Sequence, residues 1–285
     1  MQQFSGKVAA ITGAGSGIGR GLALELAATG CHLALSDIDD AGVAETVALV
    51  EQTAGVAGSV KVTTAHVDVT DRDAVEAWAA AVADEFGQVN LIFNNAGVAL
   101  SANVSAMSYE SSRWLMDINF WGVVHGTLAF LPHLKASGNG HVVNISSVFG
   151  LLGIPSQSAY NSAKFAVRGF TDALRSELDI ERCGVSATTI HPGGIRTNIA
   201  RNARFEFAEH DEAVDAEQAA VDFERFTRTT PQKAAQLILG AVAKNKRRAL
   251  IGPDAHLFDA AARISPRASQ WALGKLVARS NTALV

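Results

Sequence analysis

Along the chain, short apolar runs alternate with longer stretches in which apolar residues recur at helical spacing. Strand-length runs lie near 7–12, 32–37, 60–66, 89–94, 140–146, 185–191 and 248–252. Helical stretches fall between them, at about 18–29, 41–54, 71–86, 110–136, 158–182 and 231–244. This order predicts an α/β fold, a doubly wound parallel sheet of about seven strands with helices on both faces. All strand C-termini then share one rim, where open α/β sheets bind ligands.

Length and composition narrow the picture. The chain reads as one domain, residues 1–285, with an insert at 199–230 and a basic C-terminal tail at 253–285. Apolar residues make up 48% and charged ones 18%, an ordinary globular balance. No apolar run approaches the ~20 residues of a membrane span. The N-terminus lacks a charged segment followed by an apolar one, so no secretory signal is expected. Cys31 and Cys183 lie in predicted helix-to-strand connections and read as bystanders, not ligands or a disulfide; the cytoplasm is the expected compartment.

Candidate chemistry concentrates in two places. After the opening strand, Gly13, Gly15, Gly17 and Gly19 make a turn ahead of a helix. Glycines let the backbone approach a pyrophosphate, and a helix N-terminus favours its negative charge. The spacing is Gly-x-x-x-Gly-x-Gly at 13, 17 and 19. The next strand ends in Asp37, whose carboxylate can accept both hydroxyls of an adenosine ribose and would repel a 2′-phosphate. NAD is expected over NADP.

The second place is Tyr160-Asn161-Ser162-Ala163-Lys164, with Ser147 thirteen residues upstream. Residues four apart share a helix face, which sets the phenol beside the ammonium. A unit charge about 4 Å away is worth on the order of 4 kcal/mol at an effective dielectric of about 20. Against a free tyrosine pKa near ~10, that is enough to bring proton transfer toward neutral pH.

Taken in order, these residues resemble the short-chain dehydrogenase/reductase family in its compact, single-domain, Rossmann-type form. Thr12, Gly13, Ser16, Gly17, Ile18 and Gly19 match its cofactor turn, and Asp68-Val69 looks like its adenine-contacting pair. Asn94-Asn95-Ala96-Gly97 is similar to its strand-four motif, and Asn119 with Gly122 matches its helix asparagine. Pro192, Gly193 and Thr197 look like the loop closing over the nicotinamide, so the matches run from residue 7 to about 198. The resemblance implies NAD(P)-dependent oxidoreduction at a CH–OH group. In that chemistry Tyr160 transfers the hydroxyl proton and Ser147 holds the substrate oxygen. Lys164 lowers the Tyr160 pKa and binds the nicotinamide ribose, and Asn119 supports a water chain. A homodimer or homotetramer is also implied, paired through the long helices that carry Trp114, Trp121, Phe165 and Phe170.

The substrate is less legible. Val148, Phe149, Leu151, Leu152 and Ile154 follow Ser147 on the rim, and Phe205, Phe207, Phe223 and Phe226 lie in the insert, which in relatives is a mobile lid. Together they favour a small apolar secondary alcohol or ketone over a polyol, whose site would need more hydroxyl and amide partners. His125, His133 and His141 lack metal-ligand spacing, so no metal is expected, and His191 reads as support for the Pro192 loop. Residues 244–285 hold eight Lys/Arg and two Asp, net +6, leaving −10 on residues 1–243. That acidic remainder argues against a nucleic-acid partner. The tail is expected to be a packed element or subunit interface rather than a membrane contact. A catalytically silent dinucleotide-binding regulator or scaffold is the alternative function, but it has no need of Asn119, Ser147, Tyr160 and Lys164 together. A sugar-nucleotide epimerase would need a larger C-terminal substrate domain.

Overall fold

The computed structural model describes residues 2–54, 60–206, 227 and 229–280. Seven strands form one parallel sheet: β1 (Val8–Thr12), β2 (His32–Asp37), β3 (Val62–His66), β4 (Leu91–Asn94), β6 (Gly140–Ile145), β7 (Val185–Pro192) and β9 (Arg248–Ile251). Their order is β3-β2-β1-β4-β6-β7-β9. Ala10 of β1 pairs with Ala34 on one side and Ile92 on the other, so the chain reverses its direction of travel at β1. Such a reversal opens a crevice at the strand C-termini.

Successive strand residues point to opposite faces, and both faces are apolar. On one, Ile11, Leu35 and Phe93 pack against α1 (Gly17–Ala27), α2 (Asp40–Ala54) and α7 (Pro231–Ala243) through Leu22, Val43 and Ile238. On the other, Ala10, Ile92 and Val142 meet α3 (Arg72–Phe86), α5 (Gly122–Ala136) and α6 (Ser158–Glu181) through Trp78, Phe130 and Leu174. Cutting a fully buried ring such as Phe93 or Phe130 back to Ala costs about 3–5 kcal/mol. Local signals set the helix ends. Asp71 caps α3 by accepting from Ala74 N at 3.0 Å, and Gly87, left-handed at φ 72, stops it. Thr230 caps α7 ahead of Pro231 by accepting from Lys233 N at 3.2 Å.

Three features depart from the sequence pattern. The stretch expected as one helix at 110–136 is α4 (Tyr109–Met116), a π-helical turn over Asp117–Trp121, then α5. A π turn holds one extra residue, which a periodicity of 3.6 does not register. A separate two-stranded parallel sheet joins β5 (Leu100–Ala102) to β8 (Arg204–Glu206), each too short to show a period. The basic tail folds as α8 (Pro253–Ile264) and α9 (Pro266–Ser280). Most of the insert, with Phe207, Phe223 and Phe226, lies outside the described residues.

Candidate active site

The strand ends deliver the parts of a cleft. After β1, Gly13 (φ 66) and Gly17 (φ 52) adopt left-handed conformations that other residues resist. A Cβ on Gly19 would collide with the Gly13 carbonyl oxygen, so only glycine closes this turn. Thr12 Oγ1 accepts from the N–H groups of Asn95 (3.0 Å) and Ala96 (3.1 Å), and Asn95 Nδ2 donates to the carbonyls of Thr12 and Gly13, both at 3.0 Å. The end of β4 is thereby tied to the glycine turn. Asp37 Oδ2 accepts from Gly15 N (2.9 Å), while Oδ1 accepts from Ile38 N (2.8 Å) and Asp39 N (3.1 Å). Ile18 packs on the core behind the turn. A cleft of ≈ 420 Å³ opens in front of it, lined by Gly15, Ser16, Gly17, Arg20, Thr197 and Asn198 among others. Arg20 is occupied there, donating to the Gly15 carbonyl and pairing with Glu45 at 2.7 Å. Asp68 is exposed, its Oδ1 accepting from Thr70 N at 2.9 Å, and Val69 is buried against Gly122.

Beyond β6, Ser147, Tyr160 and Lys164 converge. Ser147 Oγ accepts from Phe149 N at 3.1 Å and lies near enough to the Tyr160 hydroxyl to influence its pKa. Ser146 Oγ instead donates to Lys164 O at 2.8 Å, so the geometry separates the adjacent serines: one ties down α6 and the other meets the phenol. Lys164 Nζ is buried, donates to Ile145 O at 3.1 Å and lies 5.5 Å from the Tyr160 ring centroid. Burial pushes this ammonium down to about 8. Burial also pushes the phenol up to about 12, opposed by the nearby Ser147 hydroxyl. The expected lowering of the Tyr160 pKa by Lys164 is therefore not the dominant effect. The two groups share a desolvated pocket that disfavours the charged form of each.

Asn119 sits fully buried in the π turn, Oδ1 accepting from Val98 N and Nδ2 donating to Val98 O, both at 2.8 Å. Both ends of its amide thus hold one backbone unit, that of Val98. A Cβ on Gly97 would lie 3.1 Å from Asn119 Oδ1 and 3.6 Å from Lys164 Nζ, so that glycine brings the β4 loop between them. His191 donates through Nδ1 to Ser147 O at 2.9 Å, and burial holds its pKa down to about 4. It braces Ser147, a different role from the loop support expected. At the end of β7, after Pro192, Gly194 N donates to Asp254 Oδ2 at 2.6 Å, and a Cβ on Gly193 would collide with the same carboxylate. Thr197 Cγ2 lies 3.1 Å from where a Cβ on Gly17 would sit, which sets this loop against the glycine turn.

Asp254 and Asn161 are structural partners the sequence did not single out. Asn161 Oδ1 accepts from Ile154 N (3.0 Å), and Nδ2 donates to Phe149 O (2.8 Å) and Leu152 O (3.1 Å), fastening that loop to α6. Its place inside the Tyr160–Lys164 stretch was a usable signal; Asp254, about sixty residues from its partner, had none. Of the apolar run after Ser147, Leu151, Leu152 and Ile154 are buried beneath Phe258, Ala262 and Leu273 of the C-terminal helices. Phe149 stays beside the site, edge-on to Tyr160 with ring centroids 5.8 Å apart. Phe205 packs with Ala99, Ile199 and Ala200. Among the described residues, no group of His, Cys, Asp or Glu could hold a metal ion, and no helix is long and apolar enough to cross a membrane.

The family model for short chain dehydrogenase matches residues 7–206. SadH of Mycobacterium tuberculosis, named as an oxidoreductase, is 49% identical over 265 residues, 93% of this chain and 92% of its own. Levodione reductase of Leifsonia aquatica is 35% identical over 233 residues, 81% of this chain and 82% of its own. A short-chain dehydrogenase/reductase from Burkholderia phymatum, crystallised in complex with NAD, superposes with a TM-score of 0.82 at 32% identity, covering 93% of this chain and 95% of that one.

Proposed function

The chain belongs to the short-chain dehydrogenases, and from that premise we propose that it moves a hydride between NAD and an apolar secondary alcohol or ketone, with Tyr160 as acid/base. The observation that carries this reading is the desolvated pocket in which the Ser147 and Tyr160 hydroxyls meet beside Lys164. Bound NAD would supply the hydride acceptor. Gly13, Ser16, Gly17, Ile18 and Gly19 would hold its pyrophosphate, because the turn and the N-terminus of α1 open on the cleft in front of them. Asp68 and Val69 would meet its adenine, and Asn95, Ala96, Gly97, Pro192, Gly193 and Thr197 would surround its nicotinamide end.

Burial keeps the phenol protonated at rest, so Tyr160 is ready to give a proton to a ketone oxygen held by Ser147. In the reverse direction it takes the hydroxyl proton of an alcohol. Lys164 is charged below about pH 8 and acts on the phenolate as it forms, where a dry surrounding strengthens the attraction. Asn119 positions the Gly97–Val98 segment against that lysine. The preference for NAD rests on Asp37, held toward the turn by three backbone N–H groups, and on Arg20, already engaged by Glu45. Phe149 beside Tyr160 supports an apolar substrate.

The chain acts as one catalytic unit, and β8, at the near end of the 199–230 insert, pairs with β5. A homodimer or homotetramer through α5 and α6 accounts for Trp121, Leu128 and Phe165, which are 48%, 58% and 41% exposed. The cytoplasm is the proposed compartment. The test is a cofactor-reduction screen over aliphatic, aryl and steroid alcohols with NAD and NADP. Turnover of an apolar secondary alcohol with higher kcat/KM for NAD is expected. Tight NAD binding with no turnover across the panel would favour the silent regulator.

A further inference from the structure

The C-terminal helices have used up their acids and their inner apolar face. Asp254 accepts from Gly194 N, and Asp259, with 13% of its side chain exposed, pairs with Arg248 and Arg263. Phe258, Ala262 and Leu273 pack inward on Leu151, Leu152 and Ile154. The outer face is of another kind. Leu257 is 69% exposed, Ile264 84% and Trp271 64%. Leu257 and Ile264, seven residues apart, lie on one side of α8. The exposed charges of residues 253–275 are Arg263, Arg267 and Lys275, with Lys275 Nζ 4.1 Å over the Trp271 ring. From residue 253 to 275 no exposed side chain is acidic.

We propose that this face docks on an anionic lipid surface, its apolar side chains entering the interface and its bases meeting the headgroups. Charge selects that occupant. Residues 244–285 carry +6 and residues 1–243 carry −10, so an anionic surface draws in this end and repels the remainder. A second copy docked face to face would set Arg263, Arg267 and Lys275 against their own counterparts. A packed tail, the expectation from sequence, accounts for the inner face and leaves the outer one unexplained. The docking goes beyond the catalytic reading and stands without it.

Co-sedimentation of the whole protein with phosphatidylcholine vesicles, with and without phosphatidylglycerol, tests the proposal. Binding to the anionic vesicles is expected to be at least ~10-fold stronger and to weaken as salt rises. Leu257→Asn with Ile264→Asn should cut it ~10-fold or more, at unchanged melting temperature and NAD affinity. Arg267→Glu with Lys275→Glu removes the charge and leaves the apolar groups, and it should weaken binding to anionic vesicles alone. Equal binding to both vesicle types, no binding, or binding unaffected by either double variant would overturn the proposal. So would a change in oligomer size in place of lost lipid binding, which would assign the face to a second copy.

Discussion

Asp254→Ala probes how the loop after β7 is held. The carboxylate sits in the first turn of α8, and Oδ2 accepts from Gly194 N at 2.6 Å. A Cβ on Gly252 would lie 2.6 Å from Oδ1, and one on Gly193 would strike the carboxylate. Glycines of two segments have thus made room for one acid. A hydrogen bond to a charged acceptor is worth about 1.5–3 kcal/mol. Without it the loop loses its tie to α8, and on the proposed reading bound NAD would have to supply the ordering. Full coupling weakens NAD binding by about 10–100-fold, at roughly 1.4 kcal/mol per decade. The proton path through Tyr160 is untouched, so kcat at saturating NAD should stay within about 3-fold, which splits KM from kcat. Asp254→Asn keeps an acceptor oxygen without the charge and should fall between. Calorimetric titration with NAD, alongside thermal melts, reads these effects. Asp254→Ala binding NAD within about 2-fold of the parent, at the parent's melting temperature, would refute the reasoning.

Other consequences concern pH, the β5–β8 pair and cofactor choice. His141 and His191 are buried and held down to about 4 from an ordinary 6.5, so the unfolded chain binds more protons between those values. Stability should therefore fall as pH drops through that window, by up to about 2.7 kcal/mol per pH unit for two protons; equal urea midpoints at pH ~7 and ~5 would contradict this. Glu206 accepts from Ser108 N (2.7 Å), Ser108 Oγ (2.8 Å) and Ser111 Oγ (2.6 Å) at the start of α4. Glu206→Ala should cost about 0.5–2 kcal/mol by denaturant unfolding and speed hydrogen exchange in β5; unchanged exchange there would show that the anchor lies elsewhere. Asp37→Ser should shift the NAD/NADP ratio of kcat/KM at least ~10-fold toward NADP; an unmoved ratio would remove Asp37 as the selector.

The parallel sheet was legible because buried strands are short, apolar and separated by helical periods. The helices over residues 40–54, 72–86 and 158–181 start or stop within about two residues of the pattern. What escaped is non-local or too short to have a period. The π turn around Asn119 adds one residue to a continuous helical pattern, and β5–β8 is a pairing of three residues across about a hundred positions. Spacing picked Ser147 over Ser146, and in the fold Ser146 Oγ donates to Lys164 O while Ser147 Oγ accepts from Phe149 N. Spacing also placed Lys164 near Tyr160, yet it could not say which effect rules the pair. The answer depends on burial, supplied by β6, the Gly97 segment and the loop fastened by Asn161. The outward set of Leu257, Ile264 and Trp271 was equally hidden, since the sequence does not reveal which side of a tail helix is covered.

Tyr160→Phe removes one oxygen and keeps the ring that packs against Phe149. Its kcat, measured with NAD and an alcohol the parent turns over, isolates the proton-transfer role from folding and cofactor binding. The expected result is a fall of at least ~100-fold in kcat, with NAD affinity and melting temperature close to those of the parent. A variant that turns over at near-parental kcat would show that the proton moves through another group, and that the pocket of Ser147, Tyr160 and Lys164 is not the seat of the chemistry.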